Sequence, residues 1–288
     1  MTTTTATAPA VDDGTAVPHE VRPHRGVAHD VWVVARRGII HMKRQPEALS
    51  DATIQPIMFV LLFGYVFGGA IRVGDGANYR EFLMGGIMAQ TIVFTAFGVA
   101  LSVANDRKNG AVDRFRSLPL ARGAVLGGHA VANLVKATLP IVLMSISGLI
   151  IGWRIRSGVV SAVGGYLLLF AFAFAMIWLG VLIGSLVASP EGVQGIAFVV
   201  LFPLTFVAST FVPVKNMPPL MRTIAEWNPV TTFADALRIQ FGNPNTPVKP
   251  GAPWPTVHPL EYTLIWVGLI LLVAAPLAVL AYQRSVRS

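Results

Sequence analysis

The chain has 288 residues, 54% of them hydrophobic and only 12% charged, with a net charge of +8 and a mean hydropathy of +0.63. An ordinary soluble domain is about 25% charged, so this composition excludes a water-soluble globule and points to a lipid bilayer. Cysteine is absent, which excludes disulfides, thiolate metal sites and thiol catalysis.

Residues 1–27 are Thr-, Ala- and Pro-rich and hold no apolar core of signal-peptide length, so they read as a disordered cytoplasmic tail. Residues 28–49 show helical spacing. Ala28, Val31, Trp32, Ala35, Ile39 and Met42 form an apolar arc, with Arg37 and Arg44 opposite and Arg36 and Lys43 flanking. That pattern suits a helix lying in the membrane interface, its basic residues toward anionic lipid head groups. A plain anchor and a mechanical element are both open for it. Pro46 is expected to end this helix, and Ser50 or Asp51 to cap the next.

Six runs free of Asp, Glu, Lys and Arg follow: Ala52–Ile71, Phe82–Asn105, Ala137–Trp153, Ser157–Pro190, Gly192–Val214 and Tyr262–Gln283. About 20 apolar residues cross a hydrocarbon core of about 30 Å. The third run reaches that length if its span starts near Val131 and Lys136 snorkels toward the interface. The expectation is an all-α polytopic membrane protein with six transmembrane helices, at about 52–71, 83–104, 131–153, 159–187, 194–213 and 261–282. Gly64/Gly68, Gly148/Gly152 and Gly180/Gly184 offer close helix packing at four-residue spacing. Pro56, Pro140, Pro203 and Pro276 are expected to bend their helices.

An even number of spans puts both termini on one side. The segment before the first span holds Arg22, Arg25, Arg36, Arg37, Lys43 and Arg44, the loop 105–122 holds five more basic residues, and the 285–288 end adds Arg287 beside Arg284. The opposite side is sparser over longer exposed sequence, so both termini and the 105–122 loop read as cytoplasmic. Within that loop, Ala111, Phe115 and Leu118 share one face of a short helix that Pro119 stops, while Asp113, Arg114 and Arg116 lie on the other. A solvated loop and a docking surface for a soluble partner both fit this pattern. Ten of the twenty prolines lie between Pro213 and Pro259, so residues 213–260 read as short helices rather than a span. Pro218 and Pro219 suit one helix start, Asn228-Pro229 a break, and Asp235 and Arg238 a pair on one face.

Missing chemistry narrows the function. None of the five lysines follows a glycine, so the chain lacks a P-loop. None of the six charge-free runs contains Asp or Glu, which disfavours a proton-coupled carrier. His129 has no acid on its span, and Ser145, Ser147, Ser185 and Ser209 lack a base, so no catalytic site forms. The basic residues are interspersed with membrane anchors, which excludes a nucleic-acid platform. Phe94, Phe97, Phe198, Phe202, Phe206 and Phe211 are candidate walls of an apolar path for amphiphilic cargo.

The string GAVDRFRSLPLARGAVLGGHAVANL, Gly110–Leu134, closely resembles the cytoplasmic loop of membrane subunits of type-2 ABC exporters, nearest the daunorubicin-resistance (multidrug efflux) permease family. In that family the loop is a coupling helix seated in a cleft of the ATP-binding subunit. The resemblance implies this role for Asp106, Gly110, Asp113, Arg114, Phe115, Arg116, Ser117, Pro119 and Arg122. Asp106 stands where many type-2 permeases have Glu, and His129 where Arg is frequent. Pro213–Gly242 resembles a second family segment, in which short helices dip into the outer leaflet and cap the pathway.

The resemblance implies a non-enzymatic permease in the plasma membrane, its transmembrane domain at 50–284, exporting an amphipathic compound or lipid. ATP and Mg²⁺ would bind a separate ABC subunit and none would bind here, and a homodimer or paralogous pair would enclose the path. A stand-alone carrier or channel and a non-transporting scaffold are the competing readings.

Overall fold

Hydrophobic length and proline placement set the layout of the computed structural model, which describes residues 36, 46–68, 71, 73, 78–109, 122–187, 189–245, 248 and 250–285. Among these residues all regular structure is helical. The order is α1 (Pro46–Val66), α2 (Tyr79–Lys108), α3 (Arg122–Ile151), α4 (Val159–Leu186), α5 (190–206), α6 (Pro219–Trp227), α7 (Pro229–Phe241), α8 (Trp254–Val257) and α9 (Pro259–Ser285), with a 3₁₀ turn at Val214–Asn216. Four helices are long and apolar enough to cross a membrane: α2, α3 from Ala130, α4, and α9 as far as Ala281. The apolar parts of the other two candidates, Ile54–Val66 and Pro190–Phe206, are shorter.

α2 and α4 form the central pair. Their backbones meet at Gly180 and Gly184, where an added Cβ would strike the carbonyl oxygens of Ala96 and Ala100. Small residues at four-residue spacing permit that approach, as expected for this pair. The other two glycine pairs behave differently. Gly152 lies beyond the end of α3 with φ +103°, in the left-handed region a glycine adopts freely, and terminates the helix. Gly68 lies past the end of α1. α9 packs along α4 on the far side, α1 lies against α3 and α2, and α7 rests across α2, α9 and α4.

Two boundaries depart from the sequence expectation. α1 already begins at Pro46, and Ser50 and Asp51 are inside the helix rather than capping it. Proline is well suited to a first helical turn, where its missing N–H has no partner to lose. α5 begins at Pro190, capped by the Ser189 hydroxyl accepting from the Gly192 amide, and ends at Phe206 rather than near 213. Its middle, Ala197–Leu201, winds as a π-helix, and the Phe202 amide reaches back to the Ala197 carbonyl. Pro203 follows two residues after that turn. A ring that cannot donate and that crowds the preceding turn is accommodated by local widening.

The alternating helices define two ends. The upper end gathers the α1 C-terminus, the α2 N-terminus, the α3–α4 turn and α6 to α8. The lower end gathers the α2 C-terminus, the start of α3 and the α4–α5 turn. At the upper end Trp254, Tyr262 and Trp266 make an edge-to-face chain, with ring centroids 6.1 and 6.3 Å apart, and Tyr262 donates to the Trp227 carbonyl. Such amphipathic rings are at home at a membrane–water boundary.

Candidate functional site

Between α1, α2, α3 and α5 lies a cavity of about 570 Å³. One face of α2 supplies Gln90, Thr91, Phe94, Thr95, Phe97, Gly98 and Leu101, positions that recur every three to four residues. Val99 of α2, Gln55, Pro56 and Phe59 of α1, Asn133, Lys136, Ala137 and Pro140 of α3, and Phe198 and Phe202 of α5 complete the lining. Phe198 stacks on Phe202 at 5.1 Å, and Phe94 meets Phe202 edge-on at 5.6 Å. The two threonine hydroxyls are spent within the protein: Thr91 Oγ1 donates to the Met144 sulfur at 3.3 Å, and Thr95 Oγ1 to the Thr91 carbonyl. What remains is an aromatic-walled space with few polar groups, a surface that suits an amphiphile.

Four of the six phenylalanines expected along an apolar path line this cavity, and two do not. Phe211 is buried and stacks on Phe63 at 4.3 Å. Phe206 is half exposed at the end of α5, where the helix stops before turning toward the cavity.

Above the cavity a buried polar cluster locks the upper end. The Arg238 guanidinium, fully buried, donates to Asp235 Oδ1 at 2.6 Å, Ser209 Oγ at 2.9 Å, the Ser209 carbonyl at 2.7 Å and the Phe82 carbonyl at 2.8 Å. It also lies 3.6 Å from the centre of the Phe82 ring. Gly85 and Gly86 let α2 come this close. A Cβ on Gly85 would fall 2.7 Å from Arg238 Cγ, and one on Gly86 would strike the Thr210 carbonyl. Asn228 accepts from the Val230 amide as the α7 N-cap and donates to the Leu204 carbonyl at 2.7 Å, tying α7 to α5. The Asp235–Arg238 pair and the helix starts at Pro219 and Pro229 follow the sequence expectation.

The α3–α4 turn adds ties that sequence reasoning missed. Arg156 grips the buried Glu81 carboxylate with three bonds of 2.7–3.0 Å, and that contact holds the Arg156 guanidinium above its ordinary pKa. Trp153 Nε1 donates to Asn243 Oδ1 at 2.7 Å, and Asn243 Nδ2 to the Arg154 carbonyl. The available signal was an acid in the first turn of α2 facing a basic Arg154-Ile155-Arg156 turn. The α2 helix begins four residues before its expected span and so includes Glu81.

At the lower end Arg107 donates to the carbonyls of Gly184, Ser185 and Val187, filling acceptors that the end of α4 leaves unpaired. Lys108 pairs with Glu191 at 3.1 Å, both side chains well exposed. Glu191 titrates below its usual range, chiefly because of a backbone hydrogen bond at its own position and then because of Lys108. Asp106, half-buried, has a partner. The other expected docking residues, Gly110, Asp113, Arg114, Phe115, Arg116, Ser117 and Pro119, lie outside the described residues, and Arg122 is described only as the first residue of α3. Of the expected interfacial helix, Arg36 is helical and exposed, while Trp32, Arg37, Lys43 and Arg44 lie outside the described set.

An all-helical apolar bundle with an aromatic cavity suits a membrane permease. Residues 29–241 match the family "ABC-2 type transporter", and the chain belongs to that family. It is 32% identical over 202 residues to a daunorubicin resistance ABC transporter permease protein, DrrB1, of Streptomyces coeruleorubidus, covering 70% of this chain and 71% of that one. It is 24% identical over 220 residues to the putative transport permease ycf38 of Cyanophora paradoxa, 74% of each chain. With the inner membrane transport permease YadH of Escherichia coli K12 it shares 22% identity over 194 residues, 65% of this chain and 74% of the relative. The chain is thus a multi-pass membrane permease of an ABC-type transporter, and its family implies an ATP-binding partner.

Proposed function

We propose that the chain is the membrane-spanning subunit of an ATP-driven exporter that moves an amphipathic drug-like compound or a lipid out of the cell. The observation that carries this reading is the aromatic cavity between α1, α2, α3 and α5, in a chain of this family. α1 and α5 cross the bilayer with the four longer helices, making six spans with both termini in the cytoplasm. The lower end then faces the cytoplasm, and residues 213–260 cap the outer side. The exposed apolar residues Met58, Leu61, Leu62 and Tyr65 on α1, and Phe198 and Val199 on α5, flank the cavity and support closure by a second copy or a paralogous permease.

In this scheme the 105–122 loop seats in the ATP-binding subunit, with Arg114 and Arg116 facing it and Phe115 toward the membrane. ATP and Mg²⁺ stay on that subunit. The interfacial helix at 28–49, through Trp32, Arg36, Arg37, Lys43 and Arg44, rides on the inner leaflet and moves with α1. Arg107 ties the loop-bearing α2 to the end of α4, and Lys108 ties it to Glu191 at the start of α5, so a push on the loop reaches the broken helix that lines the cavity.

Co-reconstitution with the cognate ABC ATPase in liposomes tests the reading. ATP-dependent movement of a fluorescent amphiphile is expected, with loss of both transport and ATPase recruitment in the Arg114→Glu/Arg116→Glu variant. Transport by the chain alone would establish a stand-alone carrier instead.

A further inference from the structure

Among the described residues the cavity contains one cation and no anion to balance it. Lys136 lies inside the apolar stretch Ala130–Ile151 of α3 and lines the cavity, whose lining includes no Asp or Glu. Among the described residues the ion pairs are Lys108–Glu191, Arg156–Glu81, Arg238–Asp235 and His258–Glu261, and none involves Lys136. A second polar group is also left over. Gln90 is 3% exposed, lines the same space, and its Oε1 has no hydrogen-bond partner. The neighbouring Thr91 and Thr95 hydroxyls cannot serve it, being committed to Met144 and to the Thr91 carbonyl.

The Thr91–Met144 bond fixes the register of α2 against α3. Lys136 stands eight residues from Met144 toward the lower end, about 12 Å along the helix axis. The Lys136 position is therefore low in the cavity, and the unpaired amide lies about two helical turns higher, with Phe94 and Phe202 beside the space between. An unpaired charge among apolar walls is costly, and an occupant of opposite charge relieves that cost while a like charge adds to it.

We propose that this cavity selects amphiphiles bearing a single anionic group, a carboxylate or phosphate, which seats on Lys136 while a hydrogen-bond donor on the same molecule reaches Gln90 Oε1. Amphiphiles with a cationic head are rejected. The proposal rests on the exporter reading and specifies its cargo.

The test uses the purified full-length chain in phosphatidylcholine nanodiscs and two matched fluorescent probes, dansyl-aminoundecanoic acid and the corresponding dansyl-alkylammonium. The acid is expected to bind at least about tenfold more tightly, the scale of a charge-assisted hydrogen bond. Lys136→Met should bring the two probes within about twofold of each other, and Lys136→Arg should keep the preference, which separates lost charge from lost fold. Displacement of the acid by phosphatidylglycerol alone assigns the anion to a membrane lipid. Displacement by dodecanoate assigns it to a free acid.

Equal affinities in the unaltered chain, a preference that survives in Lys136→Met, no saturable binding of either probe, or displacement by neither competitor would overturn the proposal. ATP-dependent transport without any charge preference would sink this inference alone. A charge preference without ATP-dependent transport would sink the exporter reading and leave the selectivity standing.

Discussion

The two ends of the helical bundle are held together by different physics. At the upper end, buried or half-buried side chains bond to backbone atoms of distant segments: Arg238 to Phe82 and Ser209, Tyr79 to Phe211, Ser157 to Gln240. Each such contact fixes one helix relative to another, and breaking it leaves a polar group without water. At the lower end the described ties are Arg107 on the α4 carbonyls and the exposed Lys108–Glu191 pair, which solvent screens. In the proposed scheme the loop that docks the ATP-binding subunit leaves α2 at this end. A permease driven from one side gains from that asymmetry: the driven end can shift while the opposite end keeps the helices in register.

The comparison breaks most sharply at Arg238. Replacing it with Met leaves the Asp235 carboxylate buried without a cation and removes the donors for two backbone carbonyls, so a stability loss of about 3–5 kcal/mol is expected. Unfolding of the detergent-solubilised protein in a denaturant titration measures it. The Asp235→Asn/Arg238→Met double variant should recover part of the loss, because it removes the unpaired charge but not the orphaned carbonyls. A loss below about 1 kcal/mol in the single variant would show that the upper end is not locked by this cluster.

Glycines sharpen the same contrast with opposite signs. At Gly86 a Cβ meets the Thr210 backbone, so Gly86→Ala is expected to cost about 1–3 kcal/mol. Gly98, further down the same helix, faces the open cavity with no heavy atom within 4 Å of a built Cβ. Gly98→Ala should therefore stabilise α2 by about 0.5–1 kcal/mol through helix propensity alone. Equal effects at the two sites would remove the distinction between a packed upper end and an open cavity.

Trp153→Phe keeps most of the ring and deletes one buried bond to Asn243, so a smaller loss of about 1 kcal/mol is expected in the same titration. Adding Asn243→Leu should deepen it, since that change also removes the Nδ2 donor to the Arg154 carbonyl.

Much of this arrangement was legible in the sequence wherever a local pattern decided it. The apolar runs gave the helices, the Pro218-Pro219 and Asn228-Pro229 pairs gave the short helix starts, and three-residue spacing paired Asp235 with Arg238. Contacts between segments far apart were not legible. Nothing local says that Glu81 meets Arg156 or that Trp153 meets Asn243, because each pair joins residues far apart in sequence that only the tertiary fold brings together. The glycine pairs show the same limit. Gly180/Gly184 and Gly148/Gly152 have equal spacing, yet only tertiary context makes both members of the first a backbone seam, while in the second Gly148 packs on Met84 and Gly152 ends the helix. The early end of α5 has the same origin, since its π turn answers Pro203 and its stop answers the α7 docking at Asn228. The cavity's charge character was present in the sequence as Lys136, but snorkelling accounted for it until the cavity wall was known.

The smallest expected effect lies at Lys108, and it tests the looseness of the lower end directly. An exposed ion pair in high dielectric contributes little, so Lys108→Ala should leave the unfolding midpoint unchanged. Its signature is instead in titration. Glu191 is held below its usual value first by its backbone hydrogen bond and second by Lys108, so the substitution should raise its pKa only part of the way back. A carboxyl with a depressed folded-state pKa contributes whatever stability it has above the ordinary carboxylate range and loses it as pH falls through the folded value. That small contribution should shrink in the variant and vanish in acid for both proteins. Carboxyl-carbon NMR of Glu191 across the acidic range measures the shift. An unmoved titration would mean that Lys108 does not hold Glu191 in solution, leaving Arg107, which reaches the end of α4, as the tie between α2 and the α4–α5 turn.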